Sequence, residues 1–359
     1  MATMAEVDLE KLVYTRAELL TSGDYAEPLI ANGIRCHGGF DADGVYGSPR
    51  VIHRTPAVLA WQAQLEQGGH ELIGIARALM PPQYPNVEQA KLLLEHGVRD
   101  PIVRALTIVS IVEGFGAIIR DVKVPKLDEL IVEPIDGSAL AHLNQGLFEA
   151  HARDESGYRE EGGHKQMWEA ARDLALETPK IPGDVLMRLM GRRRRAAKAK
   201  RPFPQLDEKL ERMLQMMAQV MVVEVFAMGT FDWGERLLSD PEVSAEPQAA
   251  GDMVRYIRAD ESPHIEYLRT GLSEIRARTL RTVDGNTISG REVVDRLIHR
   301  ILKAMTTHRR EEQREDVRAG MKDAMQVAAE PTQLLEEFDS LDSSWTPPEK
   351  TGFEAPAAA

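Results

Sequence analysis

The stretch VRYIRADESPHIEYLRTGLSEI, residues 254–275, predicts a long helix with two polar side chains on its apolar face. Apolar residues recur at helical spacing, and a glutamate and a histidine fall on the same stripe: Val254, Ile257, Glu261, His264, Leu268 and Ile275. Residues three apart share one face of a helix, so the Glu261 carboxylate and the His264 imidazole can reach one point. The stretch therefore predicts a helix that brings a metal-binding pair into the core.

A second Glu-x-x-His motif occurs earlier in the chain, at Glu161 and His164. The residues around it also follow one helical stripe: Leu147, Ala150, Asp154, Gly157, Glu161, His164, Trp168, Ala171 and Leu174. We therefore predict a long amphipathic helix from about residue 138 to 176. One such motif alone is typical of a surface pair, whereas two motifs on apolar faces favour a shared metal site.

Each motif is preceded by an apolar helix that contains one glutamate. Residues 111–117, IVEGFGA, include Glu113, and residues 222–228, VVEVFAM, include Glu224. A lone carboxylate buried in such a helix loses much of its hydration free energy unless it is paired, protonated or bound to a cation. The repeat therefore indicates a duplicated pair of helices with a shared purpose.

The two halves together supply four carboxylates and two imidazoles. These candidate metal ligands are Glu113, Glu161, His164, Glu224, Glu261 and His264. Four carboxylates offset the charge of two divalent ions, and mixed oxygen and nitrogen donors suit iron or manganese better than zinc or copper. The single cysteine, Cys36, excludes a cysteine-cluster metal site.

The ligands of the first half have an alternative. Residues 154–156, Asp-Glu-Ser, repeat residues 260–262, which would make Glu155 the counterpart of Glu261 and put Tyr158 at the histidine position. The weaker candidates for this half are His151, Glu155 and Glu149. We favour the Glu-x-x-His pair because it follows the apolar stripe, whereas Glu155 lies about 100° away from it.

The order Glu, Glu-x-x-His, Glu, Glu-x-x-His resembles the ferritin-like di-iron carboxylate superfamily. The forms Asp260-Glu261-x-x-His264 and Glu160-Glu161-x-x-His164 are also similar to those of soluble acyl-carrier desaturases and bacterial multicomponent monooxygenases. The resemblance covers residues 101 to 280 approximately. It implies an all-α fold, a ferritin-like four-helix bundle with additional helices.

The resemblance also implies a cofactor and a reaction. The cofactor would be two iron ions, with manganese or a mixed iron–manganese pair as alternatives. The reaction would be a dioxygen-dependent oxidation of a small organic substrate, free or carrier-bound, with electrons from an external donor. A homodimer is compatible with this analogy. The competing hypotheses are a bundle that binds metal or a partner without catalysis, and a manganese catalase-like use of peroxide.

Glycines crowd the candidate ligands, although a glycine costs about 1 kcal/mol at a helical site. Gly114, Gly157 and Gly162 lie next to them in sequence, together with Tyr158. We expect these residues to leave space for dioxygen or substrate beside the metals. Close packing of helices is the alternative.

Composition and charge exclude several other classes of protein. Hydrophobic residues make up 43% and charged residues 28% of the chain, which is typical of a globular protein. A net charge of −13 argues against nucleic-acid binding. The N-terminus is acidic, unlike a secretory signal, and no apolar run approaches the roughly 18 residues that cross a bilayer. We therefore expect a cytoplasmic protein with no membrane partner.

Proline and glycine divide the chain into four predicted parts. These are an irregular N-terminal segment (1–55), a ferritin-like helical domain with the metal site (56–281), a C-terminal helical extension (282–330) and a loose tail (331–359). A basic run, Arg192–Arg195 with Lys198, Lys200 and Arg201, separates the two halves of the helical domain. It is interpreted as a solvated loop or as a contact surface for an acidic partner.

Overall fold

The computed structural model describes residues 9–185, 201–328 and 330–354. Of these residues 59% are helical and 8% lie in strands, so the fold is mostly α, as predicted. The basic run lies outside the described residues except for Arg201, whose Nε donates to the Glu211 carboxylate at 2.5 Å. The structure therefore does not test the interpretation of that run.

The N-terminal segment, expected to be irregular, contains a three-stranded antiparallel sheet. After a short helix α1 (Arg16–Leu19) come β1 (Glu27–Ala31), β2 (Ile34–Phe40) and β3 (Tyr46–Gly47), in the order β1-β2-β3. Gly33, with φ of +78°, closes the β1–β2 turn, and a Cβ at Gly39 would lie 2.6 Å from the Tyr25 ring. The glycines that made the sequence look irregular are thus turn and packing positions within a sheet.

The first half of the helical region is a series of short and medium helices. They are α2 (Arg54–Gln67), α3 (Val87–Glu95), α4 (Asp100–Gly116), α5 (Leu127–Leu130), α6 (Ala139–His142), α7 (Phe148–Ser156) and α8 (His164–Leu176). A 3-10 turn, Ala117–Asp121, extends α4, and a π turn, Leu143–Leu147, joins α6 to α7.

The helix predicted from about residue 138 to 176 is therefore broken between α7 and α8. Gly157 ends α7 with φ of +80°, and a Cβ there would lie 2.2 Å from the Glu161 carbonyl oxygen. A Cβ at Gly163 would lie 2.4 Å from the Asp154 carbonyl oxygen. Residues 157–163 thus form a tight turn that only glycine at these two positions permits.

The second half contains two long helices, α9 (Glu208–Leu238) and α10 (Pro247–Arg276). Asp207 caps α9, since its carboxylate accepts from the amides of Lys209 and Leu210. The α10 helix continues through Pro263, which the sequence placed inside the motif.

Smaller elements follow: β4 (Thr279–Arg281), β5 (Thr287–Ser289), α11 (Gly290–Thr306), α12 (His308–Ala324) and α13 (Pro331–Ser340). The tail expected to be loose thus begins with a helix. That helix buries Leu334 and Phe338, so its apolar residues have a packing role.

Two apolar cores lie on either side of a polar layer. In the first core α9 and α10 contribute Met213, Met217, Leu268 and Leu272. In the second core they contribute Phe231, Leu237, Val254 and Ile257. Glu224 lies between the cores on α9, and Glu261 and His264 lie between them on α10. The long helices thus place their buried polar residues at one level of the fold.

Two helical segments of the described chain are long and apolar enough to cross a membrane, by length and composition alone. They are Asp100–Asp121 and Glu208–Leu238, whose most apolar windows are 39% and 44% buried. The core helix of a soluble protein passes the same test, so this evidence is weak. The first segment carries Glu113 and the second carries Glu224.

Candidate metal centre

Seven buried side chains converge between the two apolar cores. They are Glu113 on α4, His151 and Glu155 on α7, His164 at the start of α8, Glu224 on α9, and Glu261 and His264 on α10. None of them is more than 7% exposed. The cluster therefore contains four carboxylates and three imidazoles from five helices.

Glu155 lies at the middle of the cluster. Its Oε1 is 3.1 Å from His264 Nδ1, 3.4 Å from His164 Nδ1 and 3.7 Å from His151 Nε2. One carboxylate oxygen thus faces all three imidazoles, although it came second in the sequence analysis of this half.

Glu261 touches both sides of the cluster with its two oxygens. Its Oε1 is 2.8 Å from His164 Nδ1, and its Oε2 is 2.8 Å from His264 Nδ1. Glu224 and Glu113 lie at the two ends, 3.4 Å from His151 Nε2 and 3.7 Å from His164 Nδ1 respectively. Glu261 and Glu155 thus face more than one imidazole, whereas Glu224 and Glu113 each face one.

Each imidazole directs one nitrogen into the cluster and the other toward a buried polar side chain outside it. His264 Nε2 is 2.9 Å from Asp154, His164 Nε2 is 3.5 Å from Asp260, and His151 Nδ1 is 3.2 Å from the Tyr267 hydroxyl. Each of these two crossed aspartates contacts a histidine of the other half. Asp154 on α7 contacts His264 of α10, and Asp260 on α10 contacts His164 of α8. Metal-binding histidines usually have such a partner, which fixes the tautomer and the ring orientation.

Two buried arginines at the start of and just before α2 hold Asp154. Arg54 Nη2 is 2.8 Å from one of its oxygens, and Arg50 Nε donates to the other at 2.6 Å. Burial alone would favour the neutral acid, but Arg50 and Arg54 keep the pKa of Asp154 well below its usual range. Asp154 is therefore an ionised partner for the His264 imidazole.

The N-terminal sheet holds Asp260. The Tyr46 hydroxyl donates to its Oδ2 at 2.8 Å, and His37 Nε2 lies 3.2 Å from the same oxygen. Burial opposes ionisation, but hydrogen bonds from His164 and His37 lower the pKa of Asp260. The His37 amide also donates to the Gly162 carbonyl at 2.9 Å, which ties β2 to the 157–163 turn.

Without a cation, the centre is electrostatically unfavourable for ionised carboxylates. Burial raises the pKa of Glu113, Glu155 and Glu261 well above its usual range, and neighbouring carboxylates raise it further. Burial opposes a charged His164, but Glu261 and Glu155 outweigh it and raise the His164 pKa well above its usual value. A divalent ion among these groups would favour the ionised carboxylates and the neutral imidazole.

Several inward atoms have no hydrogen-bond partner among the described residues: His151 Nε2, His164 Nδ1, Glu155 Oε1 and Glu261 Oε1. Buried polar atoms are rarely left this way in proteins. A metal ion would satisfy these atoms together, since imidazole nitrogen and carboxylate oxygen are both metal ligands. Buried His, Glu and Asp groups of this protein could therefore hold a metal ion.

The sequence placed Glu161 in the site, and the structure does not. Glu161 lies in the 157–163 turn, where its side chain is 40% exposed and its carboxylate is 3.6 Å from Arg35 Nε. The physical reason is the glycine turn, which ends the helical stripe after Glu155. His164, the other member of that motif, begins a new helix and enters the cluster.

Of the weaker candidate ligands, two lie inside the cluster and one lies outside it. Glu155 and His151 lie in the cluster, whereas Glu149 pairs with Arg153 at 2.7 Å outside it. The five other predicted ligands (Glu113, His164, Glu224, Glu261 and His264) are brought together. His37 and Tyr46 were missed, because sequence separation of more than 200 residues from Asp260 leaves no local signal.

The residues expected to leave space for substrate are instead packed. A Cβ at Gly114 would lie 2.9 Å from the Lys165 side chain, and one at Gly162 would lie 3.0 Å from Gln166. Gly157 shapes the turn, and the Tyr158 ring stacks under the Arg153 guanidinium at 3.6 Å. These four positions are therefore in contact with neighbouring side chains or backbone.

Comparisons with models of known protein families, with curated proteins and with solved structures gave no match. The argument for a function therefore depends on the geometry of the cluster.

Proposed function

We propose that this protein is a non-haem di-iron enzyme, a dioxygen-dependent oxidase or oxygenase of a small organic substrate. The observation that carries the proposal is the cluster of four carboxylates and three imidazoles, in which each imidazole turns one nitrogen toward the carboxylates. In this proposal α4, the α7–α8 pair, α9 and α10 correspond to the helices of a ferritin-like bundle.

Charge supports two ions rather than one. Four ionised carboxylates carry the charge that two divalent cations neutralise, and a single divalent ion would leave two negative charges buried. The preponderance of carboxylate over imidazole, with no thiolate, suits iron or manganese. The bound irons would supply the activation of dioxygen, with electrons from an external donor.

The chain itself supplies orientation and a dry environment. Asp154 and Asp260 hold His264 and His164 so that each Nδ1 faces the cluster. The apolar cores on either side exclude water from the carboxylates, which strengthens their interaction with a cation. These features support a site built for reaction rather than an adventitious group of acids.

The test begins with metal-free protein loaded anaerobically with Fe(II) and then desalted. We expect about two iron ions per chain, and oxygen uptake with a rise in Fe(III) absorbance when dioxygen is admitted. Glu261→Ala should lose at least one ion, because Glu261 touches both sides of the cluster. The matched control is Glu266→Ala, on the same helix, whose carboxylate pairs with Arg269 and Gln62.

Less than one bound iron in the wild type, or full retention of iron by Glu261→Ala, would refute the di-iron site. Bound iron without oxygen uptake would refute the oxidase or oxygenase activity. Rapid breakdown of hydrogen peroxide by a manganese-loaded sample, with an inert iron form, would replace the proposal with catalase-like chemistry.

A further inference from the structure

The number of imidazoles in the cluster is odd, and each turns one nitrogen toward the carboxylates of the cluster. The outward nitrogens of His151, His164 and His264 already face Tyr267, Asp260 and Asp154. A ring nitrogen binds one ion at a time, so three of them cannot be divided equally between two ions. This step rests on the proposed di-metal site but not on its reaction.

The ring positions show how the three divide. The rings of His151 and His264 are stacked, with centroids 4.0 Å apart and an interplanar angle of 19°. The rings of His164 and His264 are 5.6 Å apart and tilted by 46°. The ligand atoms of His151, Glu155, Glu224 and His264 all lie within 4.8 Å of one another, so one ion can contact both imidazoles. His264 is therefore assigned to the position of His151, although it also lies in a group with Glu155, His164 and Glu261.

The carboxylates at the two ends of the cluster also divide between the two positions. Glu224 approaches His151, and Glu113 approaches His164. One position thus has two imidazoles and Glu224, and the other has one imidazole and Glu113. Glu155 and Glu261 face both positions.

We infer that the two metal positions are chemically unequal and that the first divalent ion binds at the His151–His264 position. Imidazole favours the later divalent ions of the first transition row more than carboxylate does, whereas carboxylate suits manganese. The His151–His264 position should therefore bind Co(II) or Fe(II) more tightly than the His164 position. The His164 position is correspondingly the one that accepts manganese in a mixed pair.

The test is an anaerobic titration of metal-free protein with Co(II), followed by visible absorption and by calorimetry. We expect two steps of unequal Kd, the tighter one first, because one position offers two imidazoles and the other offers one. His164→Ala should lose only the weaker step, and His151→Ala should raise the Kd of the tighter step by at least tenfold. His96→Ala, which removes an exposed imidazole outside the cluster, should change neither step.

The outcomes separate this inference from the proposed function. Two steps of equal affinity in the wild type, or loss of the tighter step in His164→Ala, would overturn the inference and leave a di-metal site standing. Failure of the wild type to bind Co(II) would overturn the di-metal site itself. Circular dichroism of each variant checks folding, and if His151→Ala is unfolded, His151→Gln and the wild-type titration decide the question.

Discussion

The two halves of the cluster reach similar geometry by different routes. In the second half Glu261 and His264 are three residues apart on one unbroken helix, α10. In the first half Glu155 is the second-last residue of α7, a glycine turn follows, and His164 begins α8. His151 has no counterpart in the second half. The comparison shows that the positions of the side chains, and not the spacing of the motif, are what the two halves share.

What both halves do repeat is an Asp-Glu dipeptide. In Asp154-Glu155 and in Asp260-Glu261 the glutamate faces the cluster and the aspartate holds a histidine of the other half. Neighbouring residues on a helix point about 100° apart, so one dipeptide can serve both purposes. The dipeptide is therefore a better marker of this site than Glu-x-x-His.

The largest expected effect is a difference in bound metal between variants of Glu155 and Glu161, the two glutamates of the first half. Glu155→Gln should lose at least one of two bound ions, because Glu155 Oε1 faces all three imidazoles. Glu161→Gln should keep both, because Glu161 is exposed and next to Arg35. Metal analysis after desalting measures the difference. Loss of an ion only in Glu161→Gln would mean that Glu161, and not Glu155, binds metal.

The next effect compares the two crossed aspartates in metal-free protein. Asp154→Asn leaves Arg50 and Arg54 buried without their carboxylate, so the free energy of unfolding should fall by about 3–5 kcal/mol. Asp260→Asn should lower it by only about 1–3 kcal/mol, because the partners of Asp260 are a phenol and an imidazole and not two guanidinium groups. Urea unfolding of both variants provides the measurement. An equal or larger loss for Asp260→Asn would contradict the ionic role of Asp154.

A smaller effect concerns a contact between the halves away from the metal centre. Glu274 on α10 accepts from the amides of Ala139 and Leu140 at the start of α6, and burial raises its pKa to about 7 from 4.5. The pKa of Glu274 is higher in the folded state than in the unfolded state, so protonation of Glu274 stabilises the fold. This stabilisation is fully present below pH 4.5. It is lost as pH rises through 7, and it amounts to roughly 3 kcal/mol.

The measurement is urea unfolding of metal-free wild type and Glu274→Gln at pH 5 and pH 8. Glu274→Gln should show the smaller decrease in stability between the two pH values, since glutamine does not titrate. The carboxylates of the cluster contribute equally to both proteins and cancel in the comparison. Identical decreases would contradict a protonated Glu274 at low pH.

Sequence periodicity could locate much of the cluster but not its surroundings. It placed Glu113, Glu224, Glu261 and His264 on buried faces of helices that the structure also contains. It failed at Glu161 because the stripe was continued through Gly157, whose positive φ breaks the helix. Three glycines within seven residues were the available signal. Tyr46 and His37 could not be found, since their contacts with Asp260 depend on how a sheet packs against helices.

The crossed aspartates would also determine when the proposed site could acquire metal. A chain in which only one half has folded already contains several of the ligands, but the partner that orients each histidine belongs to the other half. Imidazole orientation is therefore a property of the finished tertiary structure, and high metal affinity should arise only at the last stage of folding. If the proposed site holds metal, newly made chains would therefore bind reactive ions only after both halves have assembled around the site.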